Sequence, residues 1–242
     1  NINIKTTSIS LAKSAILSAE NVAITAHVLS LSESASIHSD ALGYLNSAQD
    51  GYGCRNQDNT FKSQYGAAHG GKGGLGYGTC ASSQTMYGDP NAPITAGGGS
   101  WNGGRGGGVI RLEVPGTLIM GKNSRISSDG ESSVQYSSYA PGGGAGGSVW
   151  ITAATLAVEA DSIISAKGGN GCVWSHSGVY YSNSGGGGGG RILIEVGSTK
   201  TTNVAGIFAP IVLIQGGTKG ATTSNTYTYK SVEGTDGGGG SF

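Results

Sequence analysis

Two consecutive passages decide the fold. GGRGGG-VIRLEV-PGTLIM-GKNSRISS runs from Gly103 to Ser128, and GGGAGG-SVWITA-ATLAVE-ADSIISA runs from Gly142 to Ala166. In each, a glycine run releases an alternating segment, then a second one, then an isolated apolar residue among small ones. The inward candidates are Ile110, Leu112, Leu118, Met120 and Ile126 in the first copy, and Val149, Ile151, Leu156, Val158 and Ile164 in the second. Apolar residues at i and i+2 carry the period of a half-buried strand, not of a helix. The repeat therefore reads as three short β segments phased to glycine.

Working outward, the N-terminal part shows the same unit without interruption. NINIKTTSISLAKSAILSAE is followed by NVAITAHVLSLSESASIHSD, so that Ile2, Ile4, Ile9, Leu11 and Leu17 fall under Val22, Ile24, Leu29, Leu31 and Ile37. The copy at Ile110 needs one extra residue, which a turn at Pro115-Gly116 would absorb. Arg191-Ile192-Leu193-Ile194 opens a further copy, whose continuation through Ile207, Ile211 and Leu213 is irregular. A period of about twenty residues with three strand-like pieces predicts one all-β domain over residues 1–242, a right-handed parallel β-solenoid.

The interruptions fall at one corner of the repeat. Leu17 leads directly to Val22, whereas insertions at 40–108, 127–148 and 166–190 leave after the third segment and return through glycine before the first. Residues 218–242 read as a loop leading to a further coil or a neighbouring subunit. Coils stack about 4.8 Å apart, so the insertions should stack beside them. Runs such as Gly185–Gly190 have the composition of a flexible linker. Their phasing instead predicts extended, three-residue-per-turn glycine helices bundled as a polyglycine-II-like layer. The strand pattern already present at Asn1, and the glycine run before Ser241-Phe242, lead one to expect coil ends completed by more chain or by neighbouring subunits.

Composition limits the function. Glycine supplies 47 of the 242 residues, without the strict period of collagen. Charged residues are 12% of the chain, with 14 basic and 14 acidic, which excludes the basic surface nucleic-acid binding requires. No apolar run is long enough to span a bilayer as a helix. GAAHGGKG (Gly66–Gly73) has the look of a phosphate loop, but it lacks the terminal Ser or Thr and follows no buried strand. His69 reads as a loop hydrogen-bonding residue. Asp40, Asp129 and Asp161 fall near coil corners, where acids on adjacent coils could do acid–base work. They are read as turn residues that do not share one place in the repeat. The expectation is therefore no enzyme, no cofactor and no metal site.

The order GAAHGGKGG (Gly66–Gly74), YGDPNAPITAGGG (Tyr87–Gly99), GGRGGGVIRLEV, GGGAGGSVWITA, GGGGGGRILIEV resembles the glycine-rich repeat region of large secreted surface proteins. It is most similar to mastigoneme proteins, the hair-like filament proteins of heterokont flagella. The resemblance covers about Gly51 to Val196. It implies an extracellular structural protein whose partners are itself or related filament subunits, and glycans, either O-linked or bound. It carries no catalytic residue across.

Cysteines and aromatics provide the remaining candidates. A Cys54–Cys80 bridge would close a loop of about 25 residues and stabilise by about 3 kcal/mol. Three pairings are formally open, and Cys172, left over, is read as a free thiol or an intermolecular link. Tyr52, Tyr77, Tyr87, Trp101, Tyr136, Tyr139, Trp174, Tyr180 and Tyr181 fall in the insertions, while the coils read as aliphatic. Such residues can anchor partner subunits, stack on sugars, or supply bulk that glycine lacks. Two functions follow as expectations. One is a filament subunit that assembles through open coil ends and loop aromatics. The other is an adhesin or carbohydrate-binding module that presents its loops to a glycan.

Overall fold

A computed structural model of the chain describes residues 1–45, 51–54, 64–76, 85–135, 140–176, 179–197, 204–205 and 211–219. Every regular element among them is a strand: β1 (Ile2–Leu11), β2 (Ile16–Ser18), β3 (Asn21–Leu31), β4 (Ser36–His38), β5 (Val109–Met120), β6 (Arg125–Ser127), β7 (Ser148–Val158), β8 (Ile163–Ser165), β9 (Val173–His176), β10 (Val179–Asn183), β11 (Arg191–Val196), β12 (Val204–Ala205) and β13 (Ile211–Leu213). They form two parallel sheets and one hairpin. The first sheet has the order β1-β3-β5-β7-β11, with β12 beside β7; the second runs β2-β4-β6-β8-β13; β9 and β10 pair antiparallel. The architecture is all-β and parallel, with successive repeats adjacent in both sheets.

The register follows the apolar columns. Ile2 pairs with Val22, Ile4 with Ile24, Ile9 with Leu29 and Leu17 with Ile37. Val22, Ile110, Val149 and Ile192 continue one column; Ile24, Leu112, Ile151 and Ile194 make the next. Ile37, Ile126 and Ile164 line up in the second sheet. Residues of both sheets enter one buried cluster, in which Ile110, Leu112, Leu118, Ile126, Ile151 and Ile164 are fully enclosed. Burying each such side chain contributes about 1.5–3 kcal/mol. A one-residue slip would turn every column outward, so the pattern fixes the pairing.

Two expectations change. In the first four repeats the first two segments are one continuous strand of 10 to 12 residues, because the residues between them stay extended, whereas the last copy has them as the separate β11 and β12. The register shifts there instead, between Val114 and Thr117 and between Thr25 and Val28, where Pro115-Gly116 adds its extra residue as a bulge. In the last copy Val212, not Ile211 or Leu213, takes the place of Ile164, and Val204 pairs with Leu156. Ile207 lies outside the described residues.

The turn between the two strands of a repeat recurs as a stack. Ser14, Ser34, Asn123 and Asp161 have φ of 59°, 59°, 56° and 61°. The N–H of Ser14 donates to Glu33 O at 3.0 Å, that of Ser34 to Lys122 O at 2.9 Å, and that of Asn123 to Ala160 O at 3.1 Å. Each left-handed turn therefore hydrogen-bonds to the next, and the backbone ladder continues through the corner. Asp161 is one of these turn residues, as the sequence suggested.

Candidate functional site

The insertions place their glycines against one another and beside the strand starts. Segment 142–147 hydrogen-bonds to six other passes of the chain. The N–H groups of Gly143, Gly144, Ala145, Gly146 and Gly147 donate to the carbonyls of Gly185, Glu131, Gly98, Gly188 and Ser128. Its own carbonyls accept from Gly104, Ala67, Gly169 and Gly107. The partners advance in threes. Gly143 and Gly146 donate to Gly185 and Gly188; Gln64 and Ala67 to Ala140 and Gly143; Gly185 and Gly188 to Gln64 and Ala67; Gly168 and Gly171 to Gln215 and Thr218. The approach leaves no room for a side chain. A β-carbon on Gly144 would overlap the Arg105 carbonyl, and one on Gly187 the Gly144 carbonyl.

His69 sits where these segments meet the strand starts and is fully buried. Nδ1 is 2.8 Å from Gly146 O, which can only accept, so Nδ1 carries the proton. Nε2 is 2.9 Å from Thr95 Oγ1 and accepts from that hydroxyl. The Tyr87 ring lies 4.8 Å away, centroid to centroid. Burial pulls the imidazole pKa down to about 4; the Gly146 hydrogen bond opposes this, and the nearby Arg191 cation adds to it. Arg191, itself buried and held below its ordinary range by burial, donates through Nε and Nη2 to Tyr87 O at 2.9 and 2.7 Å. These contacts tie insertion 40–108 to β11. A neutral histidine bonded on both nitrogens is the loop-fastening role the sequence suggested.

The other predicted residues scatter. Tyr87 donates its hydroxyl to Ala96 O at 2.6 Å, so this aromatic is turned to internal packing. Tyr52 is half-buried and its phenol is pushed up to about 12 by burial. Trp101 is half-buried, with its backbone N–H on Gly53 O. Trp174, Tyr180 and Tyr181 belong to the β9–β10 hairpin, where Tyr180 pairs with Ser175 and Trp174 with Ser182. Tyr77, Tyr136, Tyr139 and Cys80 lie outside the described residues. Cys54 is disulfide-bonded and Cys172 is free. Burial raises the Cys172 thiol pKa.

The carboxylates require a correction. Asp40 and Asp129 do share one place in the repeat, two residues after the paired His38 and Ser127. Asp40 accepts from the Asp129 N–H at 2.7 Å and from Ser127 Oγ at 2.8 Å. Asp129 accepts from the Lys167 N–H at 2.7 Å, from Ser165 Oγ at 2.5 Å and from Arg125 Nη2 at 2.5 Å. Each carboxylate thus fastens the next repeat at the corner where an insertion leaves. Aligning Ile37 with Ile126 would have revealed the match.

The strand repeats are also not purely aliphatic. Trp150, missed as an aromatic candidate, stands on the outer face of β7 with the Arg111 guanidinium 4.7 Å from its ring centroid. Among the described residues no group of three or more His, Cys, Asp or Glu is placed to hold a metal ion, and no helix is long and apolar enough to cross a membrane. Comparison of the chain with family models, with curated proteins and with solved structures gives no match in any of the three.

Proposed function

We propose that the chain is a structural subunit of an extracellular filament or surface appendage, as the resemblance of its repeats to mastigoneme proteins implies. The body is read as a right-handed parallel β-solenoid, with the glycine segments forming a polyglycine-II-like bundle beside it. The hydrogen-bond period of three carries the second part, because a three-residue-per-turn helix presents equivalent groups at every third residue. Parallel pairing of successive repeats supports the first part, and crossover connections between parallel strands are right-handed in nearly all proteins.

Assembly would use the ends of the ladders. β1 and β2 lie at one end of their sheets, while Ile4, Ile9 and Leu17 are only partly covered. An added coil, from further chain, a second copy or a related chain, would continue both ladders and cover those side chains. Half-buried Tyr52 and Trp101 would add lateral contacts. Electron microscopy and fibre diffraction of the concentrated, unreduced full chain test the reading. Ordered filaments with a repeat of about 4.8 Å along the axis are expected. Monodisperse particles at every concentration, with no axial repeat, would overturn it.

A further inference from the structure

The outer face of the first sheet carries a groove of about 700 Å³, away from the glycine segments. Its wall is a cross-strand row, Thr25, Glu113, Thr152 and Glu195, each paired with the next. Its floor is the apolar bend of the strands: Pro115 of the bulge, Ala154 and Gly197. The polar groups of the row are held in place. Thr25 Oγ1 donates to Glu113 Oε2 at 3.2 Å, and Arg111 Nη2 forms an ion pair with Glu113 Oε1. Trp150 Nε1 donates to Glu195 Oε2 at 3.2 Å, and the ring is itself backed by Arg111. Nothing in the core or in the glycine contacts requires this arrangement.

The geometry points to a carbohydrate-binding groove for a neutral glycan, on the sheet face rather than on the loops. Carboxylate and threonine oxygens in a row at about 4.8 Å intervals offer acceptors and donors to successive ring hydroxyls. The apolar floor suits the C–H face of a sugar ring. The row excludes the simpler ligands. Glu113 and Glu195 stand two strands apart, about 10 Å, too far to share one cation, whose oxygen ligands lie at about 2.3–2.6 Å. Two carboxylates also repel an anion. Arg111 neutralises one of them, which removes most of the attraction for a polycation. The proposal does not depend on the filament reading, since a monomer would carry the groove equally.

The test is titration of the full chain with cellohexaose, mannohexaose and chitohexaose. Tryptophan fluorescence, which Trp150 reports through its hydrogen bond to Glu195 of the groove wall, and calorimetry are the readouts. Saturable binding of at least one oligosaccharide is expected, weakened at least tenfold in both Glu195→Gln and Thr152→Val and unchanged in Trp101→Ala. Parallel thermal melts establish that each variant remains folded, and Glu113→Gln serves in place of any variant that does not. Absence of saturable binding to all three probes overturns the proposal. So does binding that survives both groove substitutions, or that disappears with Trp101. A fluorescence response to spermidine or calcium instead of the sugars assigns the groove to cations and also overturns it.

Discussion

His69 is neutral in the folded chain because its protonated form would be an ion without water, beside a cation and with both nitrogens already committed. The unfolded chain binds a proton near pH 6.5, whereas the folded one does so only near 4. Between those values the unfolded state holds more protons, so stability falls as pH is lowered below 6.5 and the loss is complete near pH 4. The size is roughly 3 kcal/mol. Carboxylates titrate in the same window, so the measurement is a difference: urea unfolding from pH 7 to 4 for the parent chain and for His69→Gln, with the parent showing the steeper loss. Glycine acts at the same scale. Gly144→Ala would drive a methyl into the Arg105 carbonyl, and a loss of more than about 3 kcal/mol is expected in the same assay. Ser34, held at φ 59°, offers the opposite sign: Ser34→Asn, matching Asn123 in the stacked turn, should raise stability by about 0.5 kcal/mol.

Elements are joined at their corners by Asp40 and Asp129. Asp129→Ala would leave the buried Ser165 hydroxyl and the Lys167 N–H without their acceptor, and thermal unfolding should report a loss of about 2–4 kcal/mol. Asp129→Asn keeps an acceptor oxygen and should lose less than half as much; equal losses would show that the charge on Arg125, not the hydrogen bonds, is what matters. Strands were legible in the sequence because their signal is local: Val22, Ile110 and Val149 announce themselves by alternation alone. Corners were less so. The match of Asp40 with Asp129 appears only after the apolar columns are aligned across an insertion. The joining of the first two segments depends on backbone that merely stays extended, at Thr7, His27 and Ala154. Trp150 was hidden for another reason, since it alternates in phase with Arg111 on the outer face and interrupts no apolar column.

At the scale of the whole molecule, the chain combines two kinds of backbone order in nearly equal intimacy. Amides of residues 143–147 are bonded inside the molecule, so hydrogen exchange there should be as slow as in β7; exchange as fast as in an open loop would contradict the proposed bundle. The pairings also impose a timetable. β1 to β4 need only residues about twenty positions away, and can pair as soon as residues 1–40 have left the ribosome. Ala67 must wait for Gly143 and for Gly188, and Tyr87 for Arg191, 104 residues later. Contacts of such separation slow folding. The repeats of residues 1–40 are thus set to act as a template during synthesis, onto which the later glycine segments are laid only when the repeat that follows them arrives to hold them.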